Sequence, residues 1–366
     1  MGAEGAGRRK DDHVRLAAAQ QVEPAVRNGF DDIAFVHHAL AGTDADRVDL
    51  GVEVAGGRWR VPFHINAMTG GSAATGRINR DLAIAARETG VAVASGSLSA
   101  ALDDPSLLPT FRVLRDENPT GVVWANVGVE RSADDARRAV DALGADALQV
   151  HLNSVQETVM PEGSRRFSSW PASLEAIRSA VEVPVVVKEV GFGLSARTLT
   201  RLHDLGIAYA DVSGRGGTDF VRIENARRPG GDFGYLAGWG QSAVECLLDA
   251  PDPAPVLLAS GGVRTPLDVV RALSLGARAV GVSGTFLAAV LEGGVDALVV
   301  RLREWTTHTR ALLAVLGAES PAALVSTDLV IDGRTARFCA TRDIDITAWA
   351  RRSDAAPTPE RSRHDR

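Results

Sequence analysis

The sequence predicts a single α/β domain built as a closed (β/α)8 TIM barrel, with its active site at the C-terminal ends of the strands. Three observations point to it. Short apolar, β-branched runs alternate with amphipathic segments of about ten residues or more; eight such runs occur in series; and the loops after the last two are short and glycine-rich. Alternating strand and helix patterns mark repeated βα units around a parallel sheet, and eight units close into a barrel. An open doubly wound sheet is the alternative, and the two short glycine loops favour the barrel.

In order, strands are expected at Phe63 to Ala67, Val91 to Ala94, Val122 to Asn126, Ala147 to His151, Val185 to Lys188, Tyr209 to Val212, Val256 to Ser260 and Ala279 to Val282. Helical patterns fall between them at Asn79 to Glu88, Ser132 to Leu143, Leu174 to Ala180, Ser195 to Leu205 and Pro266 to Leu275. Several open on a Ser or Asn cap or an early Pro. Arg303 to Leu316 reads as a final packing helix. Residues 1–8 and 351–366, rich in Gly, Pro, Arg and Ser, are expected to be disordered tails around one domain spanning 9–350.

The 366 residues suffice for a core that needs no staples. A formal charge of -6 and a pI near 5.8 give no basic field, so nucleic acid is not expected as a partner. Cys246 and Cys339 are the only cysteines and lie far apart, which fits a reducing, cytoplasmic setting. The N-terminal residues contain no apolar h-region, and Arg278, Glu292 and Asp296 interrupt the longest apolar stretches, so no membrane anchor is expected.

The chemistry gathers at the strand ends. Residues 151–157 read His-Leu-Asn-Ser-Val-Gln-Glu, placing His151, Asn153, Gln156 and Glu157 just beyond the apolar run that ends at Val150. In parallel α/β proteins this is where catalytic and binding groups collect. Ser260-Gly261-Gly262-Val263 and Ser283-Gly284-Thr285 each precede a helical pattern. Such loops suit a phosphate, because glycines let backbone N–H groups approach the anion and a helix N-terminus adds positive partial charge. Lys188, closing the run Val-Val-Val-Lys, needs an anionic partner, either a neighbouring carboxylate or a flavin or substrate.

The other strand ends offer small residues, amides and hydroxyls: Asn66-Ala67-Met68-Thr69-Gly70-Gly71, Ser95-Gly96-Ser97, Asn126, and Ser213-Gly214-Arg215-Gly216-Gly217-Thr218. These suit a flat aromatic cofactor with a polar edge. Neither a dinucleotide-binding GxGxxG in the right context nor a GxxxxGK[ST] is present. FMN in a barrel follows from that combination.

With these residues in view, the chain resembles the type 2 isopentenyl-diphosphate isomerases from Arg9 to about residue 340. The resemblance rests on RKDDH at 9–13, NAMTGG at 66–71, HLNSVQE at 151–157, VKEVG at 187–191, DVSGRGGTDFVRIENARR at 211–228 and ASGGVRTPLDVVRAL from 259. It implies FMN kept reduced by NADPH, a requirement for Mg²⁺, interconversion of isopentenyl and dimethylallyl diphosphates, and a homo-oligomer, tetrameric or octameric. It further implies that Ala67, Met68, Thr69, Gly70, Ser97, Asn126, Lys188, Ser213 and Thr218 contact the flavin and its ribityl chain, and that Gly261, Gly262, Ser283 and Gly284 hold its phosphate. Arg9, Lys10, His13, Ser97, His151, Asn153 and Gln156 are implied at the substrate, Gln156 and His151 as catalytic residues, and Glu157 at Mg²⁺. Reduced FMN is the implied acid and base, with Gln156 relaying or orienting.

Some residues depart from the pattern. Ser99 stands where many members carry an arginine, Ser154-Val155 replaces a frequent Pro-Leu, and Ser283-Gly284 replaces a frequent Ala-Arg. A 2-hydroxy-acid oxidase of the same fold would need a histidine near Ser213-Gly214-Arg215, which is lacking. A phosphosugar barrel gives no reason for Asn66 to Thr69 or Asn126. The sequence leaves open whether the glycine-rich, aromatic segment 219–240 forms a lid that orders only when substrate binds.

Overall fold

The protein is described here by a computed structural model covering residues 3–22 and 27–355. Eight parallel strands close into a barrel: β1 (Phe63–Ile65), β2 (Ala92–Ala94), β3 (Val123–Gly128), β4 (Ala147–His151), β5 (Val185–Lys188), β6 (Tyr209–Asp211), β7 (Val256–Ser260) and β8 (Ala279–Val282). Each pairs with the next, and β8 closes on β1 with Val280 opposite Phe63 and Val282 opposite Ile65. All eight expected strands are present. β1 ends two residues early, releasing Asn66 and Ala67 into the loop, and β3 runs two residues further, to Gly128.

Strand alternation sorts the side chains. Val185 and Val187 face the surrounding helices, whereas Val186 joins Trp124, Ala147, Leu258 and Ala279 on the barrel axis. Below them the hairpin Val52–Val54 and Gly57–Trp59 plugs the N-terminal end, with the Trp59 ring 5.1 Å from those of His64 and Trp124. Its turn places Ala55 and Gly56 both at positive φ, 47° and 77°, the geometry of a tight hairpin turn. Two residues further along four of the strands the inward position turns polar: Trp124 gives way to Asn126, Ala147 to Gln149, Val186 to Lys188 and Leu258 to Ser260. The barrel is therefore apolar at the floor and polar toward the mouth.

The helices begin where capping residues allow. Ser132 Oγ accepts from the Asp135 amide, Ser195 Oγ from Thr198, and Thr265 Oγ1 from Asp268 ahead of Pro266. The expected final helix is the second half of a longer one, Gly284–Val315, kinked at Gly293 and Gly294. Gly294 sits at φ 65°, ψ −154°, a conformation essentially restricted to glycine. No helix among the described residues is long and apolar enough to cross a membrane.

Both expected tails need correction. Helix α1 spans Ala3–Val22, so residues 3–8 are helical rather than irregular. Lys10, His13, Val14, Ala17 and Gln20 recur at helical spacing, and this shared face closes over the barrel mouth. At the other end, residues 351–354 are tied down: Arg352 donates to the Thr327 and Ser274 carbonyls, and Ser353 donates to Asp328. Residues 1, 2 and 356–366 lie outside the described set.

Ile33–Phe35 pairs antiparallel with Leu329–Ile331, joining segments nearly 300 residues apart in sequence. Beside that pair Asp32, 6% exposed, accepts from both the amide and the hydroxyl of Thr335 and from Arg27. Burial alone would raise the Asp32 carboxyl; these donors outweigh it and hold it below its ordinary value. Asp32→Ala strands the buried Thr335 amide and hydroxyl, and is expected to cost about 3 kcal/mol in urea unfolding.

Candidate active site

A cavity of about 540 Å³ opens at the C-terminal ends of the strands, beneath α1. Ala67, Met68 and Thr69 reach it from the β1 loop, Ser97 from β2, Asn126 from β3 and Lys188 from β5. Ser213 and Thr218 enter from β6, Gly261 and Gly262 from β7, and Ser283 and Gly284 from β8. His151, Asn153, Gln156 and Glu157 face in from β4 and the short helix Ser154–Val159, while Lys10 and His13 descend from α1.

Two expected residues are not among these. Gly70 does not line the cavity; it holds φ 141° beside Phe111, whose ring a Cβ would meet at 2.0 Å. Arg9 lies outside the residues whose side chains are described.

The β4 end is organised by Glu224, which sequence reasoning overlooked. Gln156 Nε2 donates to Glu224 Oε1 at 2.8 Å, and His13 Nε2 lies 2.9 Å from the same oxygen. Arg227, one turn along helix Phe220–Arg227, bonds the other oxygen. Burial would raise this carboxyl, but the His13, Gln156 and Arg227 contacts dominate and hold it at about 2. Glu224 thus stays ionised and fixes the Gln156 amide while joining the barrel to α1. Glu157 is occupied on both oxygens, Oε1 by Asn153 Nδ2 at 3.0 Å and Oε2 by the Ser164 amide at 2.8 Å.

Lys188 is 6% exposed and donates to the Glu189 carbonyl at 2.7 Å. Burial pushes its ammonium below its ordinary value, against the pull of Asp211 and Glu189. The Glu189 carboxyl is driven by burial up to about 7 although the amides of Val190, Gly191 and Phe192 all donate to it. His151 is held down at about 3, first by burial and then by Lys188 and Lys10.

Arg131, also unforeseen, reaches the cavity from the β3 loop. Its Nε donates to Ser99 Oγ at 3.1 Å, and both terminal nitrogens bond Asp103 at 2.6 Å. Ser99 is the position where an arginine was expected, so the cation on this rim comes from the neighbouring loop. The segment 219–240 forms helix Phe220–Arg227 and a turn at Gly234–Leu236, and is pinned to α1 by Gln20, which bonds both the amide and the carbonyl of Asp219.

The mouth suits a phosphorylated flavin. Gly261 and Gly262, at φ 90° and 79°, present backbone to the cavity, and the helix starting at Gly284 leaves its first amides without intrahelical partners. From the barrel side, the buried Lys188 and the Asn126 amide supply polar edges.

Comparisons with known proteins follow that geometry. A family model described as FMN-dependent dehydrogenase matches residues 125–331, so the fold and site define a flavin barrel of that family. Solved structures of a mandelate oxidase with (S)-mandelic acid (TM-score 0.63, 22% identity, 90% of this chain and 98% of that one) and of flavocytochrome b2 (0.62, 17%, 87% and 81%) share the fold. Isopentenyl-diphosphate delta-isomerases are much nearer in sequence. That of Kitasatospora griseola is 61% identical over 95% of this chain and 96% of its own length. For Nocardia farcinica the figures are 59%, 94% and 96%, and for Staphylococcus haemolyticus 45%, 92% and 97%. The chain belongs to the type 2 isopentenyl-diphosphate delta-isomerase family.

The depressed His151 value has a measurable sign. Between about pH 6.5 and 3 the unfolded chain binds a proton that the folded one refuses, so this group lowers stability as pH falls through that window and leaves it unchanged above. The His151 ring signals in NMR are expected to stay flat from pH 8 to 5; a midpoint above 6 contradicts the buried, neutral ring.

Proposed function

We propose that this chain interconverts isopentenyl and dimethylallyl diphosphates, using FMN kept reduced by NADPH together with Mg²⁺. The observation that carries the reading is the convergence of His151, Asn153, Gln156 and Glu157 with Lys10 and His13 over the mouth of a flavin barrel. A polar, cationic rim above a flat floor matches a substrate with a charged diphosphate and an apolar isoprenoid end.

Shifting a double bond requires a proton added at one carbon and another removed from C2, neither of which is appreciably acidic, and ordinary side chains are poorly matched to that task. Reduced FMN supplies the acid–base surface and the electron-rich face that favours developing positive charge. Thr69, Ser97, Asn126, Lys188, Ser213 and Thr218 would hold its ring and ribityl chain, with Ala67 and Met68 as apolar contacts. Gly261, Gly262, Ser283 and Gly284 would cradle its phosphate.

Around that face the chain's own groups divide the work. Gln156 is oriented by Glu224, to which it donates, and by Asn153, which donates to its carbonyl oxygen at 3.4 Å; the second lone pair of that oxygen is what would steer a proton. A neutral amide is too weak a base to do more. Met160, Val14 and Phe220 line the cavity and exclude water from the carbon skeleton. Lys10 offers the diphosphate a charge partner, with Arg131 on the adjoining rim.

No cluster of three His, Cys, Asp or Glu able to hold a metal occurs among the described residues. Magnesium commonly takes one or two carboxylates, several waters and substrate phosphates. Glu157 beside a diphosphate fits that habit, and would hold Mg²⁺ directly or through water.

Anaerobic conversion of isopentenyl diphosphate, with FMN, NADPH and Mg²⁺ omitted in turn, tests the reading. Product requiring all three without stoichiometric NADPH consumption is expected; steady NADPH oxidation tied to another acceptor would send the search for a substrate elsewhere. Gln156→Ala should lower kcat at least 10-fold with FMN still bound, and full activity would remove Gln156 from the mechanism. Glu157→Gln should raise the Mg²⁺ concentration at half-activation roughly 10-fold; an unchanged metal titration would sink that assignment.

A further inference from the structure

The inward polar residues of the barrel form one continuous chain. His151 Nδ1 lies 2.9 Å from Asn126 Oδ1, Asn126 Nδ2 donates to Gln149 Oε1 at 3.1 Å, Gln149 Nε2 donates to Asn66 Oδ1 at 3.1 Å, and Asn66 Nδ2 donates to Asp211 Oδ2 at 3.2 Å. Asn126, Gln149, Asn66 and Asp211 are all buried.

This chain has a direction. Asp211 receives the Ser260 hydroxyl and the Ser213 amide as well as Asn66, and a carboxylate only accepts. Asn66 is oriented a second time, because its Oδ1 also takes the Ala67 amide at 2.8 Å. With Asn66 fixed, Gln149 must donate to it, which leaves Gln149 Oε1 as the acceptor for Asn126. Asn126 then has only its carbonyl oxygen to offer His151. Each amide can satisfy its neighbours in one orientation, and the His151 nitrogen at the end of the chain has to be a donor.

We infer that Asp211 fixes the tautomer of His151 through three intervening amides, holding the proton on Nδ1 and leaving Nε2 as the unprotonated ring nitrogen on the cavity side. His151 Nε2 points past Gly128, where a Cβ would lie 3.3 Å from it, and both residues line the cavity. The neutral ring therefore meets a bound ligand as a hydrogen-bond acceptor, and presents an Nε2–H only after taking a proton there. Asp211 is a positioning residue that need not touch the substrate. The consequence for turnover rests on the isomerase reading; the tautomer itself does not.

The test is ¹⁵N NMR of histidine-labelled, FMN-loaded enzyme, which distinguishes a protonated Nδ1 from a protonated Nε2. Wild type should show His151 as the Nδ1–H form alone, and Asp211→Asn should yield a mixture or the opposite form. Should that variant fail to fold, two changes at Gln149 decide the matter. Gln149→Met breaks the chain and should lose the single tautomer. Gln149→Glu keeps an acceptor facing Asn126 and should keep the tautomer, although its second carboxylate oxygen replaces the donor to Asn66 and makes it the harsher change locally. A wild-type Nε2–H signal, or the same tautomer in both Gln149 variants, overturns the inference. In turnover, Gln149→Met should lose about 10-fold in kcat/KM while Gln149→Glu stays within about 3-fold of wild type. A wild-type enzyme that does not isomerise removes the reading above and leaves the tautomer result standing.

Discussion

The buried carboxylate of Asp211 is the constraint around which the barrel mouth is arranged. It sits at the end of β6, inaccessible to solvent, and an acceptor in that position has to be met by donors from several strands at once. Ser260 from β7, Asn66 beyond β1 and the Ser213 amide supply them. Each of those groups must then satisfy its own remaining valences, which carries the demand outward to Gln149, Asn126 and finally His151. The polar layer is thus one network with few alternative arrangements, and it forms the platform between the apolar floor and the cavity. Ser213, at φ 36°, is a local sign of this demand, since a non-glycine residue there is sustained only by the bonds around it.

Above that platform the charges are separated by place. Lys188 stands on the barrel side, with its ammonium disfavoured by burial, while Glu224 remains ionised because His13, Gln156 and Arg227 surround it. The glycine loops of β7 and β8 lie across the mouth from the β2 to β4 side, where Ser99, Arg131, His151 and Glu157 gather. Two anions can therefore be received at opposite edges of one cavity, with the apolar residues between them.

How much of this could be read from the sequence depended on what each segment packs against. The barrel strands were legible because runs such as Val185 to Val187 are apolar on both faces, and only a strand buried between helices and axis needs that. Their polar tips were legible for the complementary reason: Lys188 and His151 have no business at the end of such a run unless a site is there, whereas Gln149, inside its run, passed unnoticed. Helix α1 was not, because its inner face covers a ligand cavity rather than a core, so Lys10, His13 and Gln20 occupy positions where a packing helix would carry leucine. Glu224 was hidden among the charges of Phe220–Arg227, since nothing local separates a carboxylate that faces solvent from one that faces Gln156 across a gap of 68 residues. Gly70 carries a demand that its sequence neighbours do not reveal, for space beside Phe111. Arg352 and Ser353 were taken for tail because the carbonyls and carboxylate they serve belong to distant loops.

The antiparallel pairing of Ile33–Phe35 with Leu329–Ile331, reinforced by Asp32 and Thr335, also orders events in time. During synthesis the strand Ile33–Phe35 emerges nearly 300 residues before the one it pairs with. Until Leu329–Ile331 follows, that strand has no partner, and Asp32 lacks the Thr335 amide and hydroxyl that satisfy it. Closing so long a loop is entropically slow compared with forming neighbouring βα units. Completion of this two-stranded clasp is therefore a late step in the maturation of the chain, coming after neighbouring βα units can already have paired.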